Sequence, residues 1–336
     1  MRTALVTGSA GFIGFHLSRL LLSRGWSVVG IDSLSDYYDV ELKRRRHGIL
    51  TESERFRAVE ADVSTPDLVR DLLSDRPADA IVHLAAQAGV RHSIDAPRDY
   101  VTANLVGAFE ILEAARAHPP AHLLMASTSS VYGAEPDMPY RETQKVDAQM
   151  SFYAATKKAN EAMAHSYAHL YRVPTTMFRF FTVYGPWGRP DMALFKFTRA
   201  ILAGKAIDVY NHGRMRRDFT YVDDLVAGIA ALINVPPGTA PVSAADSLSP
   251  VAPFRSVNIG NGQPVELGRF IEAIEAALGM EARRNLMDMQ PGDVPATWAD
   301  TSLLEELLGE ALPRTPIEAG VARFVEWYRD YYDVPT

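Results

Sequence analysis

A chain of 336 residues can form one large domain or two closely packed ones, and its 47% hydrophobic and 22% charged residues are those of a soluble globular protein. Lys plus Arg is 34 against 41 Asp plus Glu, a formal charge of −7, which argues against general nucleic-acid or membrane binding and leaves an anionic substrate to local Arg and Lys clusters. The chain has no cysteine, which excludes disulfides, thiolate zinc sites, iron–sulfur clusters and thiol nucleophiles; its nine histidines lack metal-ligand spacing, so no metal is expected.

The first apolar run, Ala4 to Val6, is too short for a secretion signal, and no run reaches membrane-spanning length. A cytoplasmic protein is expected.

Thr3 to Thr7 predicts a short buried strand, followed by Gly8-Ser-Ala-Gly11-Phe-Ile-Gly14 and a helical period from Phe15 to Arg24. Strand, glycine turn and helix in that order form the context of a dinucleotide site. Gly8 permits the turn, Gly11 lets a pyrophosphate approach a helix N-terminus, and Gly14 lets helix and strand pack closely. The next strand, Trp26 to Ile31, ends at Asp32. An acid there bonds ribose hydroxyls and repels a 2′-phosphate, which favours NAD over NADP. In the basic run Lys43-Arg44-Arg45-Arg46, either one side chain reaches the ribose or, more commonly for such runs, the charges are a solvated helix face.

Phe56 to Ala61 predicts a third strand with Asp62 and Val63 at its end, placed for the adenine amino group and ring. Ala80 to Leu84 predicts a fourth, running into Ala85-Ala86, small enough for close ligand approach. His83 at its end reads as a packed core or loop residue. A helix from Val101 to Ala117 carries Asn104, and His122 to Ala126 predicts a fifth strand before Ser127-Thr128-Ser129-Ser130. Tyr153 and Lys157 lie four apart on the next helix, on one face, where a lysine charge favours an ionised phenol. Thr175 to Phe181 predicts the sixth strand. Strands alternating with helices predict an α/β fold, a doubly wound parallel Rossmann sheet with ligands beyond the strands' carboxyl ends.

After Gly185 the pattern loosens, predicting a helix near Phe195 to Ala203, a strand at Ile207 to Tyr210 and a basic loop from Asn211 to Arg217. Val235 to Pro253, rich in Pro, Ser and Ala, reads as a mobile surface loop. Phe254 to Ile259 and Leu267 to Leu278 predict a strand and a helix. The expected division is a dinucleotide-binding domain of 1–185, with returning segments about 218–234 and 254–262. A smaller α/β domain of 186–217 and 263–330 then binds substrate.

With Gly8/Gly11/Gly14, Asp32, Asp62-Val63, Leu84-Ala85-Ala86, Thr128 to Gly133, Tyr153/Lys157 and Arg217-Asp218, nearly the whole chain resembles the extended short-chain dehydrogenase/reductase family. Ser33 to Asp39 with Leu42-Lys43, Ala86 to Arg91, Phe178 to Ala193 and Gln290 to Val294 are similar to the nucleotide-sugar 4-epimerases, the UDP-glucuronate enzymes especially. The resemblance implies NAD, a UDP-sugar substrate and a homodimer. Tyr153 would be the base, Lys157 would bind the nicotinamide ribose and lower the Tyr153 pKa, and Thr128 would orient the 4′-hydroxyl. Phe12, Ile13, Ser33, Lys43, Leu84 and Asn104 complete the expected cofactor set. Arg189, Arg217 and Asp293 are expected around the uridine diphosphate, with Arg189 alternatively near the sugar. Arg91 faces the uronate or diphosphate unless it is a surface arginine. Phe195 and Tyr210 are uracil neighbours unless they are core. Thr182, with Thr128, Ser129 and Ser130, would hold a uronate carboxylate. The turn after the fifth strand has no acid of the kind dehydratases and decarboxylases carry there, which favours 4-epimerisation. The alternatives are a UDP-glucuronate decarboxylase, a 4-epimerase of another UDP-sugar, or a non-catalytic NAD-binding regulator.

Overall fold

The computed structural model describes residues 1–289 and 294–335. Apolar, β-rich runs supply the strands β1 (Thr3–Thr7), β2 (Ser27–Asp32), β3 (Phe56–Glu60), β4 (Ala80–His83), β5 (His122–Thr128) and β6 (Thr175–Phe180). They are followed by β7 (Thr182–Tyr184), β8 (Ile207–Tyr210), β9 (Arg216–Tyr221) and β10 (Phe254–Ile259). Seven strands form one sheet in the order β10-β6-β5-β4-β1-β2-β3, every pair parallel. Most are buried along their whole length, as strands covered on both faces must be. Helices Phe12–Ser23 and Val222–Leu232 pack on one face, with Phe15, Leu17, Leu225 and Ile229 in the core. Helices Leu68–Asp75, Gly107–Ala117 and Phe152–Tyr171 pack on the other. The strand order reverses between β1 and β4, which opens a crevice at their carboxyl ends.

The second half has its own apolar cluster, built from helices Ala193–Leu202, Leu267–Leu278 and Ile317–Tyr331. Three short strands join it: β11 (Pro264–Glu266), β12 (Arg284–Met287) and β13 (Ala296–Thr297). β9 pairs with β7, β11 and β13, and β8 with β12. The expected basic loop at 211–217 is therefore a short turn that becomes β9 at Arg216. The helix expected from Val101 begins as a π-helical turn, Val101–Val106, before the α-helix Gly107–Ala117.

Within the expected surface loop 235–253, residues 238–245 are largely exposed, but the part from Asp246 on is pinned to the fold. Asp246 and Arg255 form a buried two-pronged ion pair at 2.8 and 2.9 Å. Ser249 bonds His165 at 2.8 Å, and Val251 O accepts from His169 and Arg172. The loop covers the β10 edge, which the sheet would otherwise leave open.

Candidate active site

A cleft of about 530 Å³ lies over the carboxyl ends of the strands, within the size range of small-molecule sites. Gly8 sits at φ +71°, and a Cβ on it would lie 2.9 Å from Ala85 N; a Cβ on Gly14 would overlap Gly8 O. Turn and helix can approach this closely only without side chains. Gly11 caps helix Phe12–Ser23 with no side-chain hydrogen bond, so the first helical N–H groups face the cleft, a cradle suited to a pyrophosphate.

Asp32, at the end of β2, accepts Ala10 N and Leu34 N, each at 2.9 Å, and lines the cleft with Ser33. Asp62 and Val63 line it at the end of β3, and Leu84, Ala85 and Ala86 after β4. Phe12, Ile13, Lys43, Thr128, Tyr153 and Lys157 complete the predicted residues found there. Asn104 is not among them. Its amide bonds Gln87 N at 2.8 Å, Gln87 O at 3.1 Å and Thr156 Oγ1 at 3.0 Å, so it braces the strand-end loop against the Tyr153 helix.

The basic run divides by helical phase. Arg44 and Arg45 are exposed, whereas Lys43 and Arg46 are buried, so a uniformly solvated face is ruled out. Lys43 Nζ donates to Ser35 O and Oγ at 2.5 and 2.9 Å and lies 4.2 Å from the Tyr38 ring centre.

Ser151 caps helix Phe152–Tyr171 by accepting Ala154 N, which directs Tyr153 and Lys157 over β5. Burial raises the Tyr153 pKa, while the neighbouring Thr128 hydroxyl and the charge of Arg189 lower it. Lys157 follows one helical turn on, buried and lining the same cleft. Its Nζ donates to Ala126 O at 3.0 Å, and burial pulls its pKa down to about 8. Burial, reinforced by Lys157, holds His83 neutral with a pKa of about 3; its Nδ1 lies 2.8 Å from Thr7 Oγ1.

Behind the dyad, Arg179 grips Glu161 with two bonds of 2.9 Å, and Ser127 donates to the same carboxylate at 2.7 Å. Glu161 lies one turn beyond Lys157 and Ser127 directly before Thr128, so one buried ion pair ties the catalytic helix to β5.

The predicted substrate residues are more dispersed. Arg189 lines the cleft and is clamped by Asp191 at 3.0 and 2.5 Å. Ser130 follows β5 in a short turn; its Oγ accepts from Thr128 at 3.2 Å, and Ser129 precedes it. Thr182 lines a small pocket of about 30 Å³ that adjoins the cleft and shares Phe12, Val183, Arg189 and Met192 with it. The Arg91 guanidinium lies 5.2 Å from the Tyr210 ring centre, bringing the β4 loop against the end of β8. Arg217 lies on β9 and donates to Arg216 O at 2.9 Å. Phe195 is buried and packed on Phe324 and Tyr328, and it lines the same small pocket as Thr182. Asp293 lies outside the described residues.

Sequence reasoning assigned no role to Tyr37, Tyr38, Gln87, Asp191 or Met192, although all but Asp191 line the cleft and Asp191 fixes Arg189. The signal for the tyrosines was two adjacent aromatics in a polar loop just after Asp32. Among the described residues no group of three or more His, Cys, Asp or Glu is arranged to hold a metal.

Residues 4–241 match the NAD dependent epimerase/dehydratase family. The chain belongs to this family. A probable UDP-glucuronate 4-epimerase of Rhizobium meliloti (strain 1021) is 56% identical over 98% of this chain and 97% of its own. UDP-glucuronate 4-epimerase 4 of Arabidopsis thaliana is 45% identical over 98% of this chain and 76% of its own. The crystal structure of UDP-glucuronic acid 4-epimerase from Bacillus cereus, in complex with UDP-glucuronic acid and NAD, superposes with a TM-score of 0.87 at 32% identity, covering 98% of this chain and 100% of that one. In this family member, the glycine turn, the strand-end acids and the Tyr153/Lys157 helix lie along one cleft.

Proposed function

We propose that this protein is an NAD-dependent UDP-glucuronate 4-epimerase that interconverts UDP-glucuronate and UDP-galacturonate through a 4-keto sugar. The observation that carries this reading is Tyr153 and Thr128 lining the cleft together, with no acid in the strand-end turn that follows Thr128. The buried carboxylate behind that turn, Glu161, is engaged by Arg179 and Ser127 and stays ionised because Arg179, Ser127 and Lys158 together outweigh the effect of burial. It cannot serve as the acid a dehydratase needs. The similarity to UDP-glucuronate 4-epimerases over nearly the whole chain supports the same substrate.

NAD, when bound, supplies the hydride acceptor and donor for C4′. Tyr153 takes the 4′-hydroxyl proton, returns it after the keto sugar turns, and is helped to ionise by Thr128 and Arg189. Thr128 orients the same oxygen, and Lys157 is placed to bind the nicotinamide ribose. A 4-keto uronate is a β-keto acid that loses CO2 when its carboxylate bond aligns with the carbonyl π system. Thr128, Ser130, Thr182 and Arg189 are the groups available to hold the carboxylate out of that alignment. We assign Arg91, Tyr210 and Arg217 to the uridine diphosphate, with Arg91 lying against the Tyr210 ring.

We assign the dinucleotide to 1–185 with segments 218–234 and 254–262, and the nucleotide sugar to 186–217 and 263–330. We place the protein in the cytoplasm as a homodimer; the dimer fits the exposed Phe109, Phe152, Leu170 and Tyr171 on two adjacent helices. No helix among the described residues is long and apolar enough to cross a membrane.

Incubation with UDP-glucuronate and NAD tests the activity, with products separated by chromatography and CO2 trapped. UDP-galacturonate without CO2 is expected. A pentose product with CO2, or turnover confined to neutral UDP-hexoses, overturns the reading.

A further inference from the structure

Arg46 is fully buried, yet among the described residues its guanidinium meets no carboxylate; all its partners are neutral oxygens. One amino group donates to Ala10 O, inside the glycine turn, and to the Tyr38 hydroxyl, both at 2.9 Å. The other donates to Trp187 O at 2.5 Å and Gly188 O at 3.3 Å. Ala10 is also held through its N–H by Asp32 at 2.9 Å, and Gly188 directly precedes Arg189. From the neighbouring helix, His16 Nε2 donates to Pro186 O at 2.9 Å, while its Nδ1 lies 3.2 Å from Asp223. Two basic side chains of the cofactor-binding half thus hold three successive carbonyls of the substrate-side loop.

Stability alone is a poor explanation. Burying a cation without a counter-charge is costly, and the Arg46 Nε has no partner at all. The loop it holds is itself strained, with Trp187 at φ +58°. A guanidinium fork spans two acceptors on each side, which a lysine cannot do. Left alone, the loop would relax and carry Arg189 with it.

We propose that Arg46 is a positioning residue that fixes the dinucleotide turn and the Arg189 loop in one relation, so that the charge of Arg189 stays where it acts on Tyr153 and the sugar. This rests on the epimerase reading above. A displacement of about 1 Å at such a group costs on the order of 100-fold in rate.

The test is a double-mutant cycle of R46M and R189M, measured as kcat and KM with UDP-glucuronate, together with bound NAD per subunit and amide hydrogen exchange. R46M should lower kcat/KM by about 10- to 100-fold in the native background and by less than about threefold in R189M, because coupled residues are not additive. Bound NAD should be unchanged, amides of 186–192 should exchange faster, and those of 152–171 should not. Equal losses in both backgrounds, recovery of full activity by added NAD, or unchanged exchange in 186–192 each overturn the proposal. If R46M does not fold, R46K enters the same cycle with the same criteria. If the native enzyme does not turn over UDP-glucuronate, the functional reading fails, and the exchange measurement still decides the clamp.

Discussion

Glu142 offers a direct test of how the buried polar network behind the active site behaves. Its side chain is buried and accepts Asn258 N–H at 2.7 Å. Burial raises its pKa from 4.5 to about 7, against the opposing pull of that bond and of Arg179. A folded-state value above the unfolded one means the native state binds the extra proton between the two. The stabilisation is therefore complete below about 4.5 and is lost as the pH rises through about 7. At about 1.4 kcal/mol per tenfold change in proton affinity, the ionised carboxylate costs the fold about 3 kcal/mol at pH 8. Glu142→Gln keeps the shape and the acceptor for Asn258 but cannot ionise. After allowance for local relaxation, it should be about 1–3 kcal/mol more stable than the native protein at pH 8, with the gain shrinking below about 1 kcal/mol by pH 5. Urea unfolding of both proteins at pH 5, 6, 7 and 8 measures this. A difference that is constant with pH, or a variant less stable at pH 8, would refute the reasoning.

The other expectations concern the site itself. Tyr153→Phe should lower kcat by about 100- to 10,000-fold while UDP-glucuronate still binds, as calorimetry would show; a loss below tenfold removes Tyr153 as the base. In Thr128→Val one of the two influences that lower the Tyr153 pKa is gone, so the rising limb of kcat/KM against pH should move to higher pH; an unmoved limb separates the two residues. Arg179→Met leaves the buried Glu161 carboxylate with only Ser127 and the longer Lys158 contact at 3.5 Å and should cost about 3 kcal/mol in urea unfolding; less than about 1 would mean water reaches the pair. Thr182→Val should release more CO2 from carboxyl-labelled UDP-glucuronate, and an unchanged product ratio takes Thr182 out of carboxylate control.

Much of the site was legible because local chemistry and strand-end placement coincide. Gly8, Gly11 and Gly14 require a turn that only glycine permits, and Asp32, Asp62, Ala85 and Thr128 all fall at or just beyond strand ends, so a parallel sheet brings them to one edge. Residues whose role depends on a distant partner were not legible. Asn104 was expected on the cofactor, but its partners Gln87 and Thr156 lie 17 and 52 residues away. The segment 235–253 has a loop's composition, and only the Asp246–Arg255 pair and the His165 contact show that the part from Asp246 on is pinned.

The sequence by itself determined the alternation of strands and helices, the dinucleotide turn and the Tyr153/Lys157 pair, because each depends on neighbours within a few residues. Tertiary structure alone decided that the charge of Arg189 reaches Tyr153, because Coulomb interactions follow distance through space. Lys157, one turn away on the helix, is held to Ala126 O, and Arg189, 36 residues beyond Tyr153 in the chain, adds its charge to the phenol's surroundings. It likewise decided that Arg46, one of four consecutive basic residues, is fully buried and joins the two halves of the site.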